Sequence, residues 1–212
     1  MVNNLLSFQK NLPNLKSKIR ILNAAAGYPA LDIYNNDQLL FSNMQFSDIS
    51  DYIEISPGEL TLTIYKTGDF DTPLSYEEIV VLPQTSVTIS LVLEESSLVS
   101  LSLTDGSKAK NLVYSNLRFI NLSTNSPLLS LSLPNGNTLF NGVEYLENTN
   151  YYNLSGGIYD FEITATNDSS FRKFINNVNL KSNTYHTIYL IGLIDGTPTL
   201  GYILTKDSKY NE

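Results

Sequence analysis

Apolar and polar residues alternate along much of the chain with a period of two, the pattern of strands that bury one face. From Thr85 to Leu93, Val87, Ile89, Leu91 and Leu93 interleave with Ser86, Thr88 and Ser90, and only Val92 breaks the alternation. Ile158 to Thr166 repeats it, with Tyr159, Phe161, Ile163 and Ala165 against Asp160, Glu162, Thr164 and Thr166. Leu60, Leu62 and Ile64 alternate with Thr61 and Thr63, and Leu129, Leu131 and Leu133 with Ser130 and Ser132. Turn formers separate the runs, among them Asn35-Asn36-Asp37, Ser56-Pro57-Gly58, Thr67-Gly68-Asp69, Pro134-Asn135-Gly136, Ser155-Gly156-Gly157 and Thr166-Asn167-Asp168. Asn-Gly and Gly-Asp pairs supply the positive φ that tight turns need. No segment carries the period of an amphipathic helix. The pattern predicts that Val87, Ile89, Leu91, Leu129, Leu131, Tyr159, Phe161 and Ile163 are buried. It predicts that Ser86, Thr88 and Ser90 face away from the core, so that Thr88→Ala costs little.

The chain also repeats itself. Arg20 and Arg118 stand 98 residues apart, and at the same offset Asn23 meets Asn121, Pro29 meets Pro127 and Leu31 meets Leu129. One residue further on, Phe41 meets Phe140, Phe46 meets Tyr145, Tyr52 meets Tyr151, Gly58 meets Gly157, and Leu60, Leu62 and Ile64 meet Tyr159, Phe161 and Ile163. Leu82 then aligns with Leu180, Val87 with Tyr185, and Thr104-Asp105 with Thr205 and Asp207. The period is too long for a solenoid unit and is the length of one β-sandwich, about 100 residues. The expected organisation is an N-terminal arm over 1–17 and two tandem immunoglobulin-like antiparallel β-sandwiches over 18–107 and 113–208. Each holds seven or eight strands, and a short polar segment from Asp105 to Asn111 joins them.

These residues resemble the DUF4397 domain family. An arginine strand, a proline before a Leu-Asp-Ile-Tyr strand, a turn feeding Phe41-Ser42-Asn43-Met44-Gln45-Phe46 and a tyrosine strand ending in Ser56-Pro57-Gly58 carry the likeness. So does the closing element, Leu180 to Thr187 and Leu82 to Ile89. Both copies replace the histidine of the family's usual His-Ala-Ser-Pro-Asp-Ala-Pro segment, by Asn23 and by Asn121. The resemblance implies a bacterial sandwich, often exported or surface-associated, and implies no activity.

Charge and composition narrow the chemistry. The chain has 212 residues, net charge −8, no Cys, no Trp and one His. Disulfides, thiolate metal sites and thiol catalysis are excluded, and the acidity opposes binding to a nucleic-acid backbone. Residues 1–108 carry 6 basic and 13 acidic side chains, whereas 109–212 carry 7 and 8, so the first repeat holds nearly all the net negative charge. No run is long enough for a membrane-spanning helix, and the start lacks a basic stretch followed by a continuous apolar one, so no signal peptide is expected as written.

Candidate chemistry is sparse. His186, the only histidine, lies in a strand and reads as an ordinary strand residue, because neither a zinc set nor a catalytic base with its orienter can be assembled around it from sequence. Asp48, Asp51 and Glu54, Asp69 and Asp71, Glu77 and Glu78, and Glu94 and Glu95 form small acidic groups that read as solvated turns and edges. Asp69-Phe70-Asp71 invites calcium, but calcium needs six to eight converging oxygens. Phe70 and Tyr65 suggest local packing there, so the melting temperature is expected to be the same in calcium and in chelator. Arg20 and Arg118 are expected to pair with an acid or cap carbonyls within each sandwich. Tyr145, Tyr151, Tyr152, Tyr159, Tyr185, Tyr189 and Tyr202 offer an aromatic surface for sugar or protein, or lie over the core.

The sequence therefore points to a non-catalytic structural or adhesive module of a bacterial surface, envelope or spore coat. Catalytic, cofactor-binding and metal sites are all expected to be none, with no cofactor. The partner is a protein or glycan, not nucleic acid, and there is no membrane span. The rival readings are a carboxylate-based glycan hydrolase at the interdomain cleft and an intracellular, cytoplasmic partner-binding protein.

Overall fold

The computed structural model describes residues 15–106, 113–166 and 168–208, which form sixteen strands and no helix. The first eight are β1 Ser17–Asn23, β2 Leu31–Asn35, β3 Gln38–Met44, β4 Ile53–Ile55, β5 Gly58–Lys66, β6 Ser75–Val81, β7 Ser86–Glu94 and β8 Ser97–Asp105. The second eight are β9 Tyr114–Asn121, β10 Leu129–Ser132, β11 Thr138–Val143, β12 Tyr152–Ser155, β13 Gly157–Ala165, β14 Asp168–Leu180, β15 Tyr185–Ile191 and β16 Gly201–Asp207. The arm expected over 1–17 falls, up to residue 14, outside the described residues, as does most of the joining segment.

The two sets of strands follow one plan. The first makes the sheets β4-β1-β7-β8 and β3-β2-β5-β6; the second makes β12-β9-β15-β16 and β11-β10-β13-β14. The all-β, two-sandwich expectation holds, with one difference. β1 pairs with β7 in parallel, as β9 does with β15, so each sandwich holds one parallel pair among antiparallel ones.

Each sandwich closes around its own apolar cluster. Ile19, Ile21, Val87, Ile89 and Leu91 meet Leu31, Ile33, Leu60, Leu62 and Ile64 in the first. Leu117, Phe119, Ile188 and Leu190 meet Leu129, Leu131, Phe161, Ile163 and Ile175 in the second. Seven of the eight residues expected in the core are buried. Tyr159 is half-buried, stacked 5.9 Å from Phe161, with its hydroxyl donating to Ser155 O at 2.8 Å at the sandwich rim.

A third apolar cluster joins the sandwiches. Leu22, Val92 and Leu103 from the first pack with Ile120, Tyr189 and Ile191 from the second. The sheets β4-β1-β7-β8 and β12-β9-β15-β16 thus lie face to face in the middle of a four-layer stack, covered on both sides. This corrects the expectation for Ser86, Thr88 and Ser90. They do turn away from the core of their own sandwich, but the second sandwich covers that face and all three are buried.

Pairing also refines the internal alignment. Arg20 lies beside Thr88 on β7, and Arg118 beside Thr187 on β15. Val87 therefore corresponds to His186, not to Tyr185, and Ser90 to Tyr189. Asp105 pairs with Ser86 and Asp207 with Tyr185, so these two aspartates are equivalent, and Thr104 matches Lys206.

Candidate functional site: a buried cross-brace and an aromatic face

Strand alternation sends Arg20 of β1 and Arg118 of β9 outward from their own cores and into the space between the sandwiches. Nε of Arg20 donates to Thr88 Oγ1 at 2.8 Å, and Nε of Arg118 to Thr187 Oγ1 at 3.0 Å. Each guanidinium then reaches across. Arg20 Nη2 lies 2.6 Å from Asp207 and 3.9 Å from Asp105 of its own sandwich; Arg118 Nη2 lies 2.7 Å from Asp105 and 3.8 Å from Asp207. Arg20 Nη1 donates to Lys206 O at 3.2 Å and Arg118 Nη1 to Thr104 O at 3.0 Å. The expected pairing within each sandwich is thus replaced by reciprocal pairing between them, the self-complementary pattern of a two-fold interface.

The remaining carboxylate oxygens are also satisfied. Thr88 Oγ1 and Tyr52 OH donate to Asp105 Oδ2, and Thr187 Oγ1 and Tyr151 OH to Asp207 Oδ2. Arg20 lies 4.5 Å over the Tyr52 ring and Arg118 4.7 Å over the Tyr151 ring. Burial raises the Asp105 carboxyl above its ordinary range, reinforced by Asp207 and opposed by Arg118 and Arg20. Burial works against the Arg20 charge, but Asp105, Tyr52, Tyr189 and Asp207 outweigh it and hold the guanidinium above its usual value. Tyr52 and Tyr151 are likewise pushed upward, chiefly by burial. Chemically the cluster is a neutral set of two cations and two anions, fixed and sealed.

His186 lies at the edge of this region, nearly buried, with Nε2 2.9 Å from Thr184 Oγ1. Burial holds its imidazole below the ordinary value, partly offset by Asp207. Asn23 and Asn121, which stand at the same point of the two repeats, are buried backbone clamps. Asn23 donates to Met44 O and accepts from Ala25 N, and Asn121 donates to Val143 O and accepts from Ser123 N.

The acidic groups do not converge. Among the described residues no three His, Cys, Asp or Glu side chains gather around one point. Asp69 accepts from the Asp71 amide at 3.1 Å, and Asp48 from Gln45 N at 2.7 Å, both as turn-forming acids. Glu94 and Glu95 line a groove of about 490 Å³ at the seam of the sandwiches, facing Thr124, Tyr145 and Leu146. The tip of the β7–β8 turn, Glu95 and Ser96, has positive φ at both residues, the geometry of a tight hairpin. Tyr145 OH donates to Leu93 O across the seam.

A second feature lies on the outward face of β3-β2-β5-β6. Register places Leu39, Tyr34, Thr63 and Tyr76 in one row across the four strands, with Tyr65 one step on. Phe70, from the loop joining β5 to β6, comes down on the pair. Ring centroids are 5.6 Å apart for Tyr34–Tyr65, 6.1 Å for Tyr34–Phe70 and 6.4 Å for Tyr65–Phe70. Asp32, one strand step from Tyr34, pins this loop. It accepts from Thr67 Oγ1 at 3.0 Å and Gly68 N at 3.2 Å, and from Asn43 N of β3 at 2.7 Å. Burial opposes the Asp32 charge, but these donors outweigh it and hold the carboxyl below its usual range. Gly68 turns with φ +79, a conformation that side chains rarely adopt. The tyrosines singled out in the second repeat scatter instead: Tyr185 and Tyr189 are buried, Tyr151 belongs to the brace, and Tyr152 and Tyr202 are separately exposed.

Fold and site together define a duplicated β-sandwich protein whose ionisable interior joins its two halves. The chain belongs to the DUF4397 family, a domain of unknown function, whose profile matches residues 17–132. That match spans the first sandwich and enters the second as far as the end of β10. No curated protein matches the chain. No helix among the described residues is long and apolar enough to cross a membrane.

Proposed function

We propose that the chain is a rigid structural or adhesive module that works by holding a partner, not by turning over a substrate. The brace carries this reading. The four ionisable groups best placed for chemistry have side chains 0–5% exposed, and each is bonded into the interface. Their geometry holds two sandwiches in one orientation, as a binding or load-bearing module requires. The hydrolase rival draws on the seam groove, but Glu94 and Glu95 come from one hairpin tip, and the facing wall holds Thr124, Tyr145 and Leu146. A glycosidase sets its two carboxyls on either side of the scissile bond. Placement at a bacterial surface, envelope or spore coat rests on the family resemblance.

The test is a panel of glycans and cell-wall fractions incubated with the full chain, with products and retention followed together. Retention without product supports the module. Turnover that disappears in Glu94→Gln or Glu95→Gln overturns it. Antibody fractionation of the native protein checks location, and recovery in the soluble cytoplasm would overturn the surface placement.

A further inference from the structure

The duplication supplies an internal control for the aromatic face. On the equivalent sheet of the second sandwich, register puts Ser132 where Tyr34 stands, Thr164 where Tyr65 stands and Phe174 where Tyr76 stands. Only two residues separate β13 from β14, whereas eight separate β5 from β6, so the second copy has no counterpart of the segment bearing Phe70. That face carries a cation, Arg172, paired with Glu162 at 2.7 Å. Two copies of one plan have thus diverged on the side pointing away from their shared interface. Among the described residues, the second face exposes one ring, Phe174 at 52%, with Ser132 and Thr164 beside it, whereas the first groups several: Tyr76 is 61% exposed and Phe70 60%, and Phe70 packs on Tyr34 and Tyr65.

The charge around the platform has one sign. Residues 25–82 contain ten acids and a single base, Lys66. Lys66 follows Leu60, Leu62 and Ile64 in the inward alternation of β5, so it stands off the outward face. The outward positions carry Glu59 and Glu78 on the strands, Asp37 in the β2–β3 turn, and Asp69 and Asp71 on either side of Phe70. Ring faces attract cations, Lys and Arg lay their aliphatic stems on apolar surface, and carboxylates at the rim meet the charged heads.

We propose that the outward face of the first sandwich docks a basic polypeptide segment, whose Lys or Arg side chains lie over Tyr34, Tyr65, Phe70 and Tyr76 and reach Glu78, Asp69 and Asp71. This rests on the reading of the chain as a holding module and names the chemistry of what is held.

Titration of the full chain with a fluorescent oligolysine peptide at low salt tests it, with oligoglutamate and neutral chitin and glucan oligosaccharides as comparison probes. Saturable oligolysine binding is expected, weakened by salt because exposed charges are screened. The double variant Phe70→Ser/Tyr76→Ala removes two exposed rings and is expected to weaken binding by about tenfold. Glu78→Lys weakens it with every ring intact, and both variants keep the wild-type melting temperature. Binding that is indifferent to the ring variant would reduce the effect to net charge and overturn the proposal. So would absence of oligolysine binding, or preference for the neutral oligosaccharides lost with Phe70 and Tyr76. None of these outcomes produces turnover, so failure here is distinct from failure of the holding reading.

Discussion

Arg20 lies 2.6 Å from Asp207, 187 positions away, and 3.9 Å from Asp105 of its own sandwich. Arg118 makes the reciprocal choice. The duplicated sequence therefore folds as a two-fold dimer would, with each half completing the other's polar core. Removing one partner of a buried pair leaves the other charge stranded, at a cost of about 3–5 kcal/mol. Asp207→Ala and Arg20→Ala are each expected to cost about that much by chemical denaturation. The double variant is expected to cost much less than the sum of the two. Additive losses would show that the pair is not coupled.

Thr88 is the residue for which the covered face changes the expectation most. Its hydroxyl accepts from Arg20 Nε and donates to Asp105 Oδ2. Thr88→Val keeps the shape and strips both bonds, so it is expected to cost about 1–3 kcal/mol. Ile89→Ala, on the opposite face of the same strand, is expected to cost about 2–5 kcal/mol by opening a cavity. A Thr88→Val protein as stable as wild type would mean that this interface does not persist in solution.

Sandwich strands and their inward residues were legible because one continuous apolar cluster imposes a strict period of two. The inter-sandwich face was not, because it mixes Leu22 and Val92 with Arg20, Thr88 and Ser90, and so reads as solvent-facing. The recurrence of Arg20 as Arg118 marked the brace. It could not tell pairing within a copy from pairing between copies, since both copies carry the same partners. Tyr34, Tyr65, Phe70 and Tyr76 lie in separate segments, and only sheet register and the loop held by Asp32 bring them together.

Asp32 links that loop to pH. Its native carboxyl is held below the usual range by three donors, whereas in the unfolded chain it titrates near the ordinary value of about 3.9. The carboxylate's contribution is therefore complete above that value and lost as pH falls through the native one. Asp32→Asn is expected to be less stable than wild type at neutral pH, with the two stability curves converging below about pH 4. Curves that stay parallel through the acid range would assign the loop's order to something other than this charge.

Tyr189 is the large group at the centre of the interface, fully buried, and it stands where the first sandwich has Ser90. Neither hydroxyl has a hydrogen-bond partner among the described residues. Burial, then Asp105 and Asp207, push the Tyr189 phenol up to about 12, so it stays neutral through the physiological range. A buried hydroxyl without a partner loses its hydration and gains no bond in return, a penalty of about 1–3 kcal/mol. The ring, by contrast, is part of the apolar cluster with Ile120 and Leu103, and a smaller residue would leave its space empty. Tyr189→Phe is therefore expected to be neutral or stabilising, and Tyr189→Ser strongly destabilising through the cavity it opens. Thermal and urea unfolding of the two variants separate the contributions of ring and hydroxyl. A large loss in Tyr189→Phe would show that the hydroxyl is bonded in solution and belongs to the brace.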